Sequence, residues 1–330
     1  MRLDRIAVLG AGAWGTALAN VAARPGRNVT LWSRDPAHAA DMAEARENRR
    51  SLPGVRLADA ICATADLAGS AEADLLILAV PAQHLRATLA ALPALPDRLP
   101  MVLCAKGIEA ATGLLMSDVL ARSRPGHPGV ALSGPSFAAD VGRGRPTAVT
   151  VAAADGALAR AVADGLARPA FRLYHTDDLI GVEIGGAAKN VLAIACGVAA
   201  GMDLGASAMA ALIARGFAEL GRFGRAFGAR PETLMGLSGL GDLVLTCSSA
   251  QSRNFAFGQA LGAGTPLAEA GGGRLAEGVA TAPVLCRLAR ERGVDMPVAE
   301  VVAALVAGAT TPRRALDALL SRPSRAEAGG

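Results

Sequence analysis

Aromatic side chains are scarce in this 330-residue chain, at 3% of the residues, although hydrophobic residues make up 52%. A core must therefore be assembled mainly from Ala, Val, Leu and Ile, which favours closely packed helices and parallel strands over an aromatic-rich β architecture. The length exceeds the usual size of a single hydrophobic core, so we expect two domains.

Cysteine is also sparse: the five cysteines are scattered and never spaced as Cys-x-x-Cys. This pattern supplies neither a zinc site nor a redox pair, so we expect no metal and a reduced, cytoplasmic setting. The longest apolar stretch, from Asn190 to Met202, is shorter than the ~20 residues that span a bilayer, so we expect no stable membrane insertion.

Blocks of like charge are absent, and the formal net charge is only +4. Because few aromatic residues lie between the basic ones, the sequence predicts no nucleic-acid partner. A mild positive balance fits an anionic small molecule instead. We therefore expect a small-molecule substrate.

Short apolar runs alternate with Ala-rich helical stretches in the first half, which is typical of a parallel sheet covered on both faces. After Gly181, Ala/Leu/Gly segments with helical spacing continue to Leu320. We predict an α/β protein: an N-terminal Rossmann-like, doubly wound, mostly parallel sheet (residues 1–180), then an all-α substrate-binding domain (residues 181–330). The predicted strands are Arg5–Leu9, Asn28–Trp32, Asp74–Val80, Met101–Ala105, Gly129–Leu132, Ala148–Val151 and Phe171–Tyr174.

A G-x-G-x-x-G string, Gly10-Ala-Gly12-Ala-Trp-Gly15, follows the first predicted strand and opens an Ala-rich helix. With a second strand after the helix, this is the dinucleotide-binding arrangement. Gly10 makes the tight turn, Gly12 lets the backbone approach the pyrophosphate, and Gly15 lets the helix pack on the strand. The pyrophosphate is expected at the helix N-terminus. An ordinary turn without a ligand is the alternative.

The end of the second strand bears on the choice between NAD and NADP. An acidic residue there accepts the ribose hydroxyls and repels a 2′-phosphate. Here Arg34 stands after the strand and can meet a 2′-phosphate, whereas Asp35, one residue later, can restore NAD binding. The sequence leaves both cofactors open.

Lysine is nearly absent: among 33 basic residues only Lys106 and Lys189 are lysines. A desolvated lysine can give up and regain a proton, whereas arginine stays charged, so both are candidates for proton transfer. Lys106 follows a predicted strand, at the edge where open α/β sheets bind ligands. Lys189 is expected at the start of a long apolar helix, where burial lowers the pKa of an amine. Surface lysines are the alternative.

Two polar segments are candidate ligand loops. Ser133-Gly134-Pro135-Ser136 follows a predicted strand, and Ser252-Arg253-Asn254 comes shortly after Gly241-Asp242. Hydroxyl groups suit a polar substrate, and arginine suits bidentate binding of a phosphate. A β-turn and a capped helix start are the alternatives.

In sum, the chain resembles bacterial-type NAD(P)-dependent glycerol-3-phosphate dehydrogenases over essentially its whole length. The resemblance implies reversible hydride transfer between NAD(P)H and dihydroxyacetone phosphate, which gives sn-glycerol 3-phosphate for phospholipid synthesis, and it implies a homodimer. The segments that carry it, in the family's order, are residues 10–18, 105–109, 132–138, 181–195, 241–249 and 251–255.

The resemblance also implies roles for individual residues: Lys189 as proton donor and acceptor, and Lys106 in contact with both substrate and cofactor. The implied substrate-binding residues are Lys106, Gly134, Ser136, Lys189, Asp242, Ser252, Arg253 and Asn254. The implied cofactor-binding residues are Gly10, Gly12, Ala13, Trp14, Gly15, Arg34, Lys106, Ala138, Arg253, Leu275 and Glu277.

A few positions depart from the family pattern. Ala13 and Ala82 stand where serine is frequent, Arg50-Ser51 where an aromatic residue often precedes Leu-Pro-Gly, and Leu275 where valine is common. None of these changes removes a group assigned to proton transfer.

Two other functions remain open. A ketopantoate or 3-hydroxyacid reductase shares the glycine turn and a catalytic lysine, and a dinucleotide-sensing module would bind the cofactor without turnover. The placement of the two lysines counts against the sensor.

Overall fold

The computed structural model describes residues 3–23, 26–273 and 275–321. The ends of the two predicted domains, residues 1–2 and 322–330, lie outside this part. Eight strands form one sheet in the order β3-β2-β1-β4-β5-β6-β7-β8. They are β1 (Arg5–Leu9), β2 (Asn28–Trp32), β3 (Ile61–Thr64), β4 (Leu75–Leu78), β5 (Met101–Leu103), β6 (Gly129–Ser133), β7 (Thr147–Ala152) and β8 (Phe171–Thr176).

Helices flank the sheet and make up most of the described residues after β8. Short 3₁₀ turns cover Ala68–Glu72 and Ala82–His84, and a π-helical turn covers Leu237–Gly241. The α-helices are α1 (Ala13–Ala22), α2 (Pro36–Ala45), α3 (Leu85–Ala91), α4 (Met116–Ser123), α5 (Ala138–Gly142), α6 (Gly156–Leu166), α7 (Leu179–Gly201), α8 (Gly205–Ala226), α9 (Pro231–Met235), α10 (Asp242–Cys247), α11 (Arg253–Gly262), α12 (Glu277–Glu291), α13 (Pro297–Val306) and α14 (Pro312–Leu320).

The sheet is mostly parallel, as predicted. All neighbouring strands run parallel except β6 and β7, which are antiparallel. Strand β1 lies between β2 and β4, so the order along the sheet reverses there. Such a reversal opens a crevice at the carboxyl ends of the strands, where doubly wound proteins bind ligands.

Seven of the eight strands were predicted, and β3 was missed. It has only four residues, Ile-Cys-Ala-Thr, and lies at the edge of the sheet with one buried side chain. A strand buried on both faces needs a near-continuous apolar run, whereas an edge strand does not. Its sequence therefore carried too weak a signal.

Both faces of the sheet are covered by apolar side chains. In β1, Ile6 and Val8 belong to one buried cluster, whereas Ala7 and Leu9 belong to another. Because successive residues of a strand point to opposite faces, the two clusters lie on the two sides of the sheet. This is the doubly wound α/β arrangement that the sequence predicts.

Helix α7 forms the core of the helical part. Its packing against α11 uses small residues: a Cβ atom added at Gly197 would collide with the carbonyl oxygen of Phe255, and one added at Gly258 would collide with that of Ile194. The helix axes therefore approach closely without large side chains between them. The mostly helical second half is as predicted.

Helix α7 is also longer than the apolar stretch that was expected from the sequence. With 23 residues, α7 is long and apolar enough to cross a membrane by length and composition. Within the protein, however, 89% of its most apolar stretch is buried. The sequence-based limit of Asn190 was wrong because the helix continues through the polar Lys189 and Glu183. Burial identifies α7 as a core helix of this fold.

Candidate active site

The glycine turn joins β1 to α1. Gly10 has a φ of +114°, and a Cβ atom there would lie 2.7 Å from the carbonyl oxygen of Ala79. A Cβ atom at Gly15 would collide with the carbonyl oxygen of Gly10, so helix and strand are in close contact. Only glycine fits these two positions.

Gly12 differs because a Cβ atom there would meet no protein atom within 4 Å. It is the N-cap residue of α1, and no side chain caps the helix. The free N–H groups of the first turn thus face open space, which suits the pyrophosphate of a dinucleotide. The turn fits this group without any charged side chain.

The two lysines meet at one buried carboxylate. Lys189 Nζ donates to Asp242 Oδ1 and Thr246 Oγ1, each at 2.7 Å. Lys106 Nζ donates to Asp242 Oδ2 at 2.7 Å and to the carbonyl oxygen of Gly134 at 3.1 Å. The side chains of Lys189 and Asp242 are only 7% and 1% exposed. We call Lys106, Lys189, Asp242 and Thr246 the lysine–aspartate cluster.

Helix α7 carries Lys189 near its middle, not at its start as the sequence analysis expected. Helix α7 begins at Leu179 and includes Gly185 and Gly186, where it contacts its neighbours. A Cβ atom at Gly186 would lie 2.8 Å from Ser133 Oγ, and one at Gly185 would lie 2.6 Å from the carbonyl oxygen of Ser238. Tertiary packing here overrides the low helix propensity of glycine.

Burial and mutual charge set the protonation of the cluster. Burial lowers the pKa of Lys189 to about 8, and the positive charge of Lys106 adds to this effect, while Asp242 opposes it. Burial opposes ionisation of Asp242, but the two ammonium groups outweigh it and lower the pKa of that carboxyl. An amine with such a pKa can exchange a proton near neutral pH.

Two asparagines connect the cluster to α11 and α12. Asn190 Nδ2 donates to the backbone oxygen of Lys106 at 2.7 Å, and Asn254 Nδ2 donates to Asn190 Oδ1 at 2.9 Å. The N–H of Gly278 in turn donates to Asn254 Oδ1 at 2.9 Å. The start of α11 is thereby fixed relative to Lys106.

The start of α11 also presents polar groups. Ser252 is its N-cap and its hydroxyl accepts from the N–H of Phe255 at 3.2 Å, while Arg253 is exposed in the first turn. Glu277 opens α12 and accepts from the N–H of Ala82 at 3.2 Å. Burial raises the pKa of Glu277, and the charges of Arg253 and the two lysines oppose this. The charges of these side chains therefore influence one another.

The remaining predicted site residues are more dispersed. Ser136 Oγ donates to the carbonyl oxygen of Gly134 at 3.0 Å, beside the cluster. Ala13, Trp14 and Ala138 pack against the core on one face of the sheet. Arg34 is exposed after β2, and Leu275 is 48% exposed.

Sequence reasoning missed Thr246 and Asn190. Thr246 follows Asp242 by four residues, so both lie on one face of α10, and this spacing was a usable signal. Asn190 adjoins Lys189, but its contacts reach Lys106 and Asn254, which are far away in the chain. Among the residues the structure describes, no group of three His, Cys, Asp or Glu side chains is placed to hold a metal ion.

Comparison with known proteins agrees with this geometry. Residues 5–159 match the family model of the NAD-dependent glycerol-3-phosphate dehydrogenase N-terminus, and residues 178–317 match that of the C-terminus. The chain is 60% identical over 327 residues to a glycerol-3-phosphate dehydrogenase (NAD(P)+) of Bradyrhizobium sp. (strain ORS 278), covering 99% of each chain. A relative from Beijerinckia indica is 59% identical and covers 100% of this chain and 99% of its own.

Solved structures show the same likeness. The crystal structure of glycerol-3-phosphate dehydrogenase from Coxiella burnetii has a TM-score of 0.92 and 38% identity, covering 97% of this chain and 99% of that one. A ketopantoate reductase from Ralstonia eutropha, at 19% identity and a TM-score of 0.61, covers 94% and 99% and shares the fold alone. This chain therefore belongs to the NAD-dependent glycerol-3-phosphate dehydrogenase family.

Proposed function

We propose that this chain interconverts dihydroxyacetone phosphate and sn-glycerol 3-phosphate with NAD(P)H or NAD(P)+. The observation that carries the proposal is that the buried amine of Lys189 and the partly buried amine of Lys106 contact the two oxygens of Asp242. They lie near the carboxyl ends of β5 and β6, on the side of the sheet where the glycine turn follows β1. Family membership supports the same activity.

Lys189 is the proposed proton donor and acceptor. When bound, the dinucleotide supplies the hydride for the ketone carbon or accepts it from the alcohol carbon. In the reduction, the ammonium of Lys189 gives its proton to the oxygen of that carbon, and in the oxidation the neutral amine takes it back. The lowered pKa of Lys189 suits both directions near neutral pH.

Lys106 and Asp242 hold the reacting groups in place. Asp242 accepts from both amines and so fixes their separation. The charge of Lys106 stabilises negative charge that develops on the substrate oxygen beside the buried Asp242. We assign Lys106 to contact with both substrate and cofactor because it borders Gly134 on one side and the end of β5 on the other.

The substrate phosphate is assigned to the start of α11. Ser252, Arg253 and Asn254 provide a guanidinium, an amide and helix N–H groups, which together suit a phosphate. Gly134 and Ser136 complete the proposed substrate site from the sheet edge.

The cofactor is assigned to the glycine turn and its surroundings. Gly12, with Ala13 and Trp14 in the first turn of α1, would hold its pyrophosphate. The other proposed cofactor-binding residues are Gly10, Gly15, Arg34, Lys106, Ala138, Arg253, Leu275 and Glu277.

Several broader features are part of the proposal. The chain divides into a cofactor-binding domain (1–180) and a helical substrate-binding domain (181–330). The protein is a cytoplasmic homodimer without stable membrane insertion, and its product serves glycerophospholipid synthesis. The burial of α7 supports the soluble form.

The activity can be tested with purified protein by following NAD(P)H oxidation with dihydroxyacetone phosphate. Unphosphorylated dihydroxyacetone and ketopantoate serve as comparison substrates and should be turned over far more slowly. Lys189→Met, which keeps the length of the side chain, should lower kcat by about 10²–10⁴-fold. Its thermal unfolding and NADPH binding should stay near those of the wild type.

Two results would contradict the proposal. One is the absence of phosphate-dependent turnover with either cofactor. The other is near-normal kcat in a folded Lys189→Met variant, which would remove the proton-transfer role from this residue.

A further inference from the structure

We propose that this chain binds NADP(H) in preference to NAD(H), and that Arg50 determines this preference together with Arg34. The proposal rests on the dinucleotide site described above and adds to it a residue, Arg50, outside the glycine turn and the strand ends. Arg50 has two effects: it engages the nearby carboxylate of Asp35, and it places a second guanidinium where a 2′-phosphate would lie.

The end of β2 lies beside the glycine turn. Leu9 of β1 is paired with Trp32 of β2, and the N–H of Gly10 donates to the carbonyl oxygen of Trp32 at 3.1 Å. In this fold a dinucleotide with its pyrophosphate on the glycine turn places its adenosine ribose at the end of the second strand. The residues after Trp32 therefore determine whether a ribose hydroxyl or a 2′-phosphate is accepted.

Asp35 is the acidic residue at this point, and both of its carboxylate oxygens are already engaged. Oδ1 caps α2 by accepting from the N–H groups of Ala37 and His38, at 3.1 and 3.4 Å. Oδ2 accepts from Arg50 Nη1 at 3.1 Å. The carboxylate is thus tied to helix α2 and to Arg50, which differs from an acidic residue held free for ribose hydroxyls.

Arg50 is held near the glycine turn by its neighbour Asn48. Asn48 is fully buried, and its Nδ2 donates to the carbonyl oxygen of Ala11 at 2.9 Å and to Thr16 Oγ1 at 2.7 Å. Its Oδ1 accepts from the N–H of Ser51 at 3.0 Å. The segment that carries Arg50 is therefore anchored to the same turn on which the pyrophosphate is expected.

The charged side chains that follow β2 favour the binding of an anion. Arg34 and Arg50 are both exposed, and in the described part of the chain Arg34 forms no ion pair. Asp35 neutralises one of the two guanidinium groups, so one positive charge remains. A phosphate monoester carries about −1.5 to −2 charges at neutral pH and matches guanidinium groups in bidentate geometry. Ribose hydroxyls offer no such charge.

The test measures binding alone, without the triose substrate. Dissociation constants of NADPH and NADH for the full chain are obtained from the nicotinamide fluorescence. We expect wild-type protein to bind NADPH at least about tenfold more tightly, since charged hydrogen bonds to one phosphate supply this much. Arg34→Met should remove most of that difference. Arg50→Met should weaken NADPH binding about threefold to tenfold and change NADH binding less than about twofold, because the side chain is exposed and screened.

Arg49→Met is the matched control. Arg49 precedes Arg50 on the same segment, but its guanidinium lies 3.9 Å from Asp41 instead. This variant should leave both dissociation constants unchanged. The Arg50→Met effect should also shrink as salt is raised from about 0.05 to 0.5 M.

Equal affinity of the wild type for the two cofactors would overturn the proposal, and so would an Arg50→Met variant that weakens NADH and NADPH binding alike. Either result would leave the proposed dehydrogenase activity intact, because turnover of dihydroxyacetone phosphate with NADH is measured separately. Conversely, a preference for NADPH in a protein without turnover would support this inference and contradict the proposed reaction.

Discussion

The glycine turn and the lysine–aspartate cluster lie at the same edge of the sheet but are built in opposite ways. The turn is contiguous in sequence, carries no charged side chain and presents backbone N–H groups. The cluster collects charged side chains from the loop after β5, α7 and α10, and Lys106 and Asp242 are 136 positions apart in the sequence. We propose that the turn binds an anion through its backbone N–H groups and that the cluster exchanges a proton through buried charged side chains.

The two regions are sensitive to different kinds of substitution. A backbone site depends on glycines whose replacement changes the space or the local φ angle. A buried charged site depends on balance, because removal of one partner leaves another charge desolvated and unpaired.

Asp242→Asn should be the most damaging substitution in the cluster. It removes the shared carboxylate from the buried ammonium of Lys189 and the partly buried ammonium of Lys106, whose side chains are 7% and 16% exposed. The free energy of unfolding should fall by about 3–5 kcal/mol, as when one partner of a buried ion pair is removed. Denaturant titration measures the change. Turnover should be lost as well, since the separation of the amines is no longer fixed.

Asp317→Asn is a suitable control because Asp317 pairs with Arg313 at 3.8 Å on the exposed surface of α14. That substitution should change stability by less than about 1 kcal/mol. A similar small effect at Asp242 would mean that the cluster does not depend on charge balance.

Gly12→Ala, in the glycine turn, should affect cofactor affinity much more than stability. A Cβ atom at Gly12 meets no protein atom within 4 Å, so the fold should lose less than about 1 kcal/mol, mainly at the helix cap. The added methyl occupies the space where the pyrophosphate approaches, and cofactor affinity should fall at least about tenfold. Fluorescence titration with NADPH and thermal unfolding measure the two effects. Unchanged affinity would show that the cofactor does not lie over Gly12.

The two regions also differ in how well the sequence predicts them. The strand–turn–helix geometry of the turn was predicted correctly because its residues are adjacent in the sequence. The two lysines were found by their rarity, not by their contacts. Their shared partner and the Asn190–Asn254 connection depend on long-range packing, which a sequence alone does not specify.

The errors in the sequence analysis have the same origin. Lys189 was expected at the start of a helix, but α7 begins ten residues earlier and includes Gly185 and Gly186. In the structure these glycines allow α7 to approach Ser133 and Ser238, and the helix continues through them. The short edge strand β3 was missed because its burial is one-sided. Local patterns thus predicted the elements, but not how tertiary contacts extend or use them.

The proposed proton transfer by Lys189 should make the reaction rates depend on pH. Burial lowers the pKa of Lys189 to about 8, below its ordinary 10.5. Reduction of the ketone needs the protonated amine, so its rate should fall about tenfold per pH unit above pH 8. Oxidation needs the neutral amine and should fall in the same way below pH 8. Cofactor binding at the uncharged glycine turn should stay nearly constant across this range.

Two buried threonines, one in each region, allow the cluster and the turn to be tested separately. Thr246 lies four residues after Asp242 and accepts from Lys189 Nζ at 2.7 Å, while Thr16 lies four residues after Gly12 and donates to its carbonyl oxygen at 2.9 Å. Thr246→Val removes an acceptor that stabilises the ammonium, so the pKa of Lys189 should fall and the reduction limb should move to lower pH by about half a unit to one unit. Thr16→Val should instead weaken NADPH binding about threefold to tenfold and leave the pH profile unchanged. If both variants alter the pH profile, or both alter cofactor affinity alone, then the turn and the cluster work as one unit and the separation drawn between them is wrong.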